Sequence, residues 1–168
     1  GDFASSMLAR CEGNKIAILR RTLLPHSLGI LYTALCQYVG FERFGEEYKV
    51  MGLSAYGVNR FAPELKRLVR VDPHSGFLLD LSYFRHHQIA SGLEMTEDGE
   101  ATVPQLYGER MFPLFGPPRR RGEPITERDR DLAASLQIRF EEVYLEHVGR
   151  CVESTGIRDV AMAGGSTL

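Results

Sequence analysis

The chain has 168 residues, of which 43% are hydrophobic, 10% aromatic and 25% charged, with 20 Lys and Arg against 22 Asp and Glu for a net charge of −2. That is one domain's worth of polypeptide with enough apolar material for a core, which excludes wholesale disorder and a coiled-coil rod. Near-neutral charge gives no global pull toward nucleic acid or an anionic membrane, so neither is expected as a partner.

Asn14 to Leu24 is β-branched and apolar after a Glu12-Gly13-Asn14 turn, which predicts a strand and a hairpin whose first arm begins over Phe3 to Ala9. After Pro25, Leu28, Leu31, Tyr32, Leu35 and Val39 recur at helical spacing within Ser27 to Val39, with Ser27 as N-cap and Gly40 as stop. The glycine-bounded stretch Gly45 to Gly57 predicts a short helix between loops. In it Glu46, Glu47 and Lys49 stand beside Met51 and Leu53, both read as buried. Pro63 to Arg70 reads as another short helix, and Asp72-Pro73-His74-Ser75-Gly76 as the turn of a hairpin joining Val69-Arg70-Val71 to Phe77 to Leu81.

Residues 85 to 124 carry little periodicity and several breakers, ending in Gly116-Pro117-Pro118-Arg119-Arg120-Arg121-Gly122, so a long irregular connection is expected there, with the arginine triplet solvated. Thr126 with Asp129 forms a variant capping box. Leu132, Leu136, Phe140, Val143, Tyr144, Val148 and Cys151 then make one apolar stripe, predicting a helix from Thr126 to about Ser154. Val160 to Ala163 reads as a short buried strand that Gly164-Gly165-Ser166-Thr167 turns out of.

Cys11, Cys36 and Cys151 are odd in number and show no CxxC spacing, so they read as reduced residues of a cytoplasmic protein. No apolar run approaches the ~20 residues of a membrane span. A start on Gly1-Asp2-Phe3 without Met and an end on Gly164 to Leu168 read as a piece of a longer protein.

A strand followed by Gly-Gly-Ser-Thr suits a phosphate or nucleotide, because glycines let backbone N–H groups approach a ligand closely; the same residues also suit an ordinary strand-to-helix turn. Glu46, Glu47 and Lys49 read either as groups that orient a polar ligand or as a solvated helix face. His26, just before a helix N-terminus, reads as a possible donor to a substrate or as a capping and packing residue. His86 and His87 are adjacent, point to opposite faces of an extended chain and have no third ligand at a regular spacing, so metal is not expected there. His147 reads as structural.

Pro25-His26-Ser27-Leu28-Gly29-Ile30-Leu31-Tyr32, then Gly45 to Gly57, then Ala163-Gly164-Gly165, closely resemble successive blocks of the carbamoyltransferases of nodulation-factor and antibiotic biosynthesis. Ala133-Ala134-Ser135-Leu136-Gln137 resembles the helix that precedes the last block, so the resemblance covers essentially the whole chain. It implies an α/β fold with a mixed sheet and flanking helices, part of the ASKHA (actin, sugar-kinase, Hsp70-like) architecture, residues 1–168 being the central part of that domain. It also implies a C-terminal YrdC-like domain outside these residues. There ATP and carbamoyl phosphate give carbamoyl adenylate, whose carbamoyl group passes to an acceptor hydroxyl in the ASKHA-like domain.

The resemblance further implies a divalent metal, typically iron, held by a His-x-x-x-His pair that this sequence lacks. The Asp-Gly that precedes Gly1-Asp2 in the family is also missing, and Ser166-Thr167-Leu168 stand where the family continues Val-Ala-Leu-Asn. Carried over by position, Gly164 and Gly165 match the nucleotide-contacting turn, Glu46 and Lys49 match the Gly-Glu-Tyr-Lys block near the adenosine, and Asp2 matches a remnant of the acidic phosphate-side motif. His26 lies in a family block to which the resemblance assigns no role, and is a candidate for the substrate side. The expected activity is that of an ATP-dependent O-carbamoyltransferase acting on a sugar or natural-product hydroxyl, with the piece by itself inactive. An ASKHA phosphotransferase and a non-catalytic nucleotide- or protein-binding module are the alternatives.

Overall fold

A computed structural model describes residues 3–89 and 92–165. Two antiparallel strands, β1 (Ala4–Glu12) and β2 (Lys15–Leu23), form the first hairpin across Gly13, with register irregularities at Ala4/Ser6 and Leu8/Ala9. Helices α1 (Leu28–Tyr38), α2 (Glu47–Ser54) and α3 (Ala62–Leu68) follow. A second hairpin pairs β3 (Val69–Asp72) with β4 (Gly76–Leu79), its turn held by Asp72 Oδ1, which accepts from the Ser75 amide at 2.7 Å. The expected irregular stretch contains a third, minimal hairpin, β5 (Glu94–Met95) with β6 (Ala101–Thr102), and a one-turn helix α4 (Phe112–Phe115), before the 29-residue α5 (Glu127–Thr155).

The helices end where local chemistry dictates. Ser27 Oγ caps α1 by accepting from the Ile30 amide at 3.3 Å. Thr126 and Asp129 make a reciprocal capping box at the start of α5, and Gly156, in the left-handed conformation at φ 70°, stops it. The core lies between α1, α3, β3–β4 and the first half of α5, where Leu31, Leu35, Tyr38, Leu65, Leu68, Leu132 and Leu136 are fully buried.

Two glycines set how closely the layers approach. A Cβ on Gly57 would lie 2.1 Å from the Arg130 carbonyl oxygen, so only glycine lets the chain after α2 lie against α5. Asp131 Oδ1 and Ser135 Oγ then accept from the Val58 and Phe61 amides at 2.9 and 3.0 Å, fixing that segment on the helix. A Cβ on Gly40 would lie 2.8 Å from the carbonyl oxygen of Arg119.

Three expectations are corrected. The described residues form no single mixed sheet, only three separate two-stranded antiparallel ones, because each strand pairs with its sequence neighbour through a short turn. Val160 to Ala163 is not a buried strand: no described strand pairs with it, and Val160 and Met162 are 47% and 58% exposed. Arg119 is not solvated. Its Nε donates to the Val39 carbonyl at 2.6 Å and its guanidinium lies 5.1 Å from the Phe41 ring centroid, so the carbonyl end of α1 takes the charge inside the fold.

Candidate functional site

The segments that are far apart in sequence meet at one cleft of about 580 Å³. Its floor is the outward face of α1, with Gly29, Tyr32 and Thr33; Glu47 and Met51 of α2 form one wall; Gln137, Phe140 and Tyr144 of α5 form the other. Met162 and Gly165 close it from the segment after α5, where the Tyr144 hydroxyl lies 3.2 Å from Met162 Sδ. A second cleft of about 480 Å³ adjoins it, sharing Gly29, Tyr144, Met162 and Gly165 and adding Ser6, His147 and Gly164.

Helical spacing explains the assembly. Phe140 and Tyr144 stand one turn apart on α5 with their rings stacked at 5.9 Å and 13°, and Tyr32 meets Phe140 edge to face at 5.6 Å. The Tyr32 hydroxyl donates to Gln137 Oε1 at 2.8 Å, and the Gln137 amide donates to Glu141 at 2.7 Å. Burial, with the charges of Glu141 and Glu47 nearby, holds the Tyr32 phenol above its ordinary pKa, so it is a neutral donor. Such a cleft has the size, the aromatic faces and the few fixed polar groups of a small-molecule site.

Neighbouring carboxylates take different directions at the start of α2. Glu46 is 6% exposed and turned into its own loop, accepting from Lys49 Nζ at 2.6 Å and from the Arg43 amide at 3.0 Å. Burial alone would raise its pKa; the bonds from Lys49 and Arg43, with the charges of Lys49 and Arg121, outweigh it and hold the carboxyl below its ordinary value. Glu47 instead faces the cleft, with one oxygen accepting from Thr33 Oγ1 at 2.8 Å and no further partner for the carboxylate among the described residues.

Of the residues singled out from sequence, Gly165 lines both clefts and Gly164, at φ 118°, lines the smaller. Glu46 and Lys49 are brought together but line neither; Lys49 lies 5.6 Å over the Phe41 ring. His26 is turned inward, its Nδ1 accepting from the Leu79 amide at 3.1 Å, which ties the start of α1 to β4. Asp2, Ser166 and Thr167 lie outside the described residues. Met51, expected to be buried, is 43% exposed because it is part of the cleft wall, while Val50 takes the core position.

His147 is 3% exposed, with burial and the charge of Arg20 lowering its pKa, and its Nε2 lies 3.5 Å from Ser6 Oγ. His86 stands against the Pro25 carbonyl, Nε2 to oxygen 2.7 Å. Among the described residues no three His, Cys, Asp or Glu side chains are grouped to hold a metal ion, and all three cysteines are free. No helix of the described residues is long and apolar enough to cross a membrane.

Sequence reasoning missed Thr33, Gln137 and the pairing of Tyr32 with α5 as cleft-forming groups. Their only advance signal was position: each is one turn from a core residue, on the flank of the apolar stripe.

An uncharacterised protein of Synechocystis sp. is 35% identical to the chain over 170 residues, covering all of the chain and 25% of the relative. The nodulation protein NolNO of Sinorhizobium fredii is 32% identical over 168 residues, covering 98% of the chain and 21% of that protein. The nodulation protein NolO of Bradyrhizobium diazoefficiens is 30% identical over 165 residues, covering 98% of the chain and 26% of that protein. The chain therefore spans about a quarter of the length of these relatives. The family model described as carbamoyltransferase N-terminus matches residues 1–168, and the chain belongs to that family.

Proposed function

We propose that the chain is part of an ATP-dependent O-carbamoyltransferase, in which carbamoyl phosphate and ATP give carbamoyl adenylate and the carbamoyl group passes to a small-molecule hydroxyl. The observation that carries this reading is the convergence of α1, α2, α5 and the segment carrying Met162 and Gly165 on one cleft of about 580 Å³. The ASKHA architecture of the whole domain is part of the same proposal.

The residues present fit a nucleotide. Phe140 and Tyr144 offer a flat apolar face for a base, Tyr32 and Gln137 offer fixed polar atoms, and Gly165 brings backbone to the cleft without a side chain. ATP, when bound, supplies the phosphate that activates the carbamoyl group. This chain's own part is to bind and orient. Tyr32, held protonated and hydrogen-bonded, keeps the α1 and α5 walls at a fixed spacing, and Glu47 presents a carboxylate toward the place where a hydroxyl would lose its proton. Among the described residues no His, Cys, Asp or Glu side chains are grouped as a ligand set for iron or another metal.

The test is isotope exchange between pyrophosphate and ATP in the full-length protein, with and without carbamoyl phosphate. Exchange that depends on carbamoyl phosphate is expected. Exchange that ignores it, or phosphoryl transfer from ATP to a sugar, overturns the reading in favour of a phosphotransferase.

A further inference from the structure

A third cavity, of about 420 Å³, adjoins the large cleft. Gly29, Thr33, Phe44 and Glu47 line both, so these four form the partition between them. Beyond the partition the character changes. The α5 aromatics and the Gly165 segment are absent, and Ile30, Ile89, Val103, Pro104 and Leu106 make the walls mostly apolar, with Ser27 and His86 as further polar groups.

The cavity is built by specific bonds. Gln37, buried on α1, donates from Nε2 to the carbonyls of Val103 and Pro104 at 2.9 and 3.0 Å, and its Oε1 accepts from the Leu106 amide at 2.9 Å. One side chain thus fastens the 103–106 segment along α1. On the opposite rim the Phe44 amide donates to the Ala101 carbonyl at 3.1 Å, tying the loop before α2 to β6. The irregular stretch is therefore held against α1 through Gln37 and against the loop before α2 through Phe44.

From this juxtaposition we infer that the cavity between α1 and the 101–106 segment is the acceptor site, and that it takes a hydroxyl carried next to an apolar body. The inference rests on the proposed carbamoyl transfer. A donor in the large cleft and an acceptor in this cavity meet only at the partition, where Glu47 is the one carboxylate common to both linings and Thr33 fixes one of its oxygens. The mostly apolar walls favour such an acceptor over a bare, fully hydrated polyol, which has more hydroxyls than the few polar groups of the lining can pair. In the transfer step the acceptor oxygen bonds the carbamoyl carbon, and the bond from that carbon to the donor's phosphate oxygen breaks. That oxygen leaves with the electron pair, and the acceptor's proton passes to the Glu47 carboxylate.

The experiment uses the full-length protein with octyl β-D-glucopyranoside, below its micelle-forming concentration, as probe and glucose as the control without an apolar body. Saturation-transfer NMR is expected to show saturable binding of the glycoside through its alkyl chain, none of glucose, and binding weakened at least tenfold by Phe44→Ser and by Ile30→Asp. The Glu47→Gln variant, which keeps the shape of the side chain and removes its charge, is assayed in parallel for transfer to the glycoside at saturating carbamoyl phosphate and ATP. It should lose carbamoylation of the glycoside by about 100-fold or more, the scale of a missing general base.

No saturable binding by the wild type, equal binding of glucose, or binding indifferent to both cavity variants overturns the acceptor site. Transfer that survives Glu47→Gln within threefold, or a wild type that binds the glycoside and does not carbamoylate it, overturns the role given to Glu47. Loss of pyrophosphate exchange in the wild type is a failure of the carbamoyl-transfer reading itself, and the binding measurements still decide the cavity.

Discussion

The inner and outer faces of the same three helices behave differently. On the inner faces, Leu31 and Leu35 of α1, Val50 of α2, and Leu132, Leu136 and Val143 of α5 are fully buried and packed against one another. On the outer faces, Thr33, Glu47, Met51, Gln137, Phe140 and Tyr144 border an open cleft, and their polar atoms pair across helices. The difference teaches that the site is the flank of the core left unfilled. The inner face fixes where the helices stand, and the outer face uses that placement to hold aromatic and polar groups at set distances.

Perturbing the inner face should have the largest effect on stability. Leu136→Ala in the full-length protein is expected to cost about 2–5 kcal/mol, read by denaturant unfolding, because it opens a cavity where α5 crosses the core. Gln37→Leu sits between the two regimes. It strips partners from the Leu106 amide and two carbonyls, so about 1–3 kcal/mol is expected, together with faster hydrogen exchange at Leu106 if the 103–106 segment loosens. Thr126→Ala removes one half of the α5 capping box and should cost about 1 kcal/mol, with the loss confined in exchange experiments to the first turn of α5.

A pH titration sharpens the contrast between the two neighbouring glutamates. Glu46 has its folded pKa below the reference 4.5, so its contribution is full above that value and falls as pH drops through the lowered folded pKa. Glu46→Gln should flatten the acid limb of stability as pH falls below about 4.5, measured by urea midpoints. The smallest structural effect belongs to the outer face: Glu47→Gln should leave stability within about 0.5 kcal/mol while changing function.

Most elements were legible because their periodicity is strong and their caps are local. The first and second hairpins, α1 with Ser27 and Gly40, and α5 with its Thr126–Asp129 box stand close to where the pattern predicts them. What could not be read depends on partners distant in sequence. Val160 to Ala163 has the composition of a buried strand, but burial requires a neighbouring strand, and none of the described strands pairs with it. Arg119 sits in a run of three arginines that looks solvated, and only the close approach of Gly40 draws it inside.

The cleft itself was legible as three separate blocks and not as one place. Glu46 and Glu47 share a motif and a charge, yet one residue of rotation at the start of α2 sends Glu46 to Lys49 and Glu47 to Thr33. Sequence position could nominate the pair; only the helix boundary separates them.

Photoaffinity labelling of the full-length protein with 8-azido-ATP, followed by peptide mapping, tests the central claim that these blocks line one nucleotide cleft. Labelling is expected on peptides carrying Tyr32, Met51, Tyr144 or Met162, and it should be competed by unmodified ATP. Specific labelling confined to peptides outside residues 1–168 would contradict it.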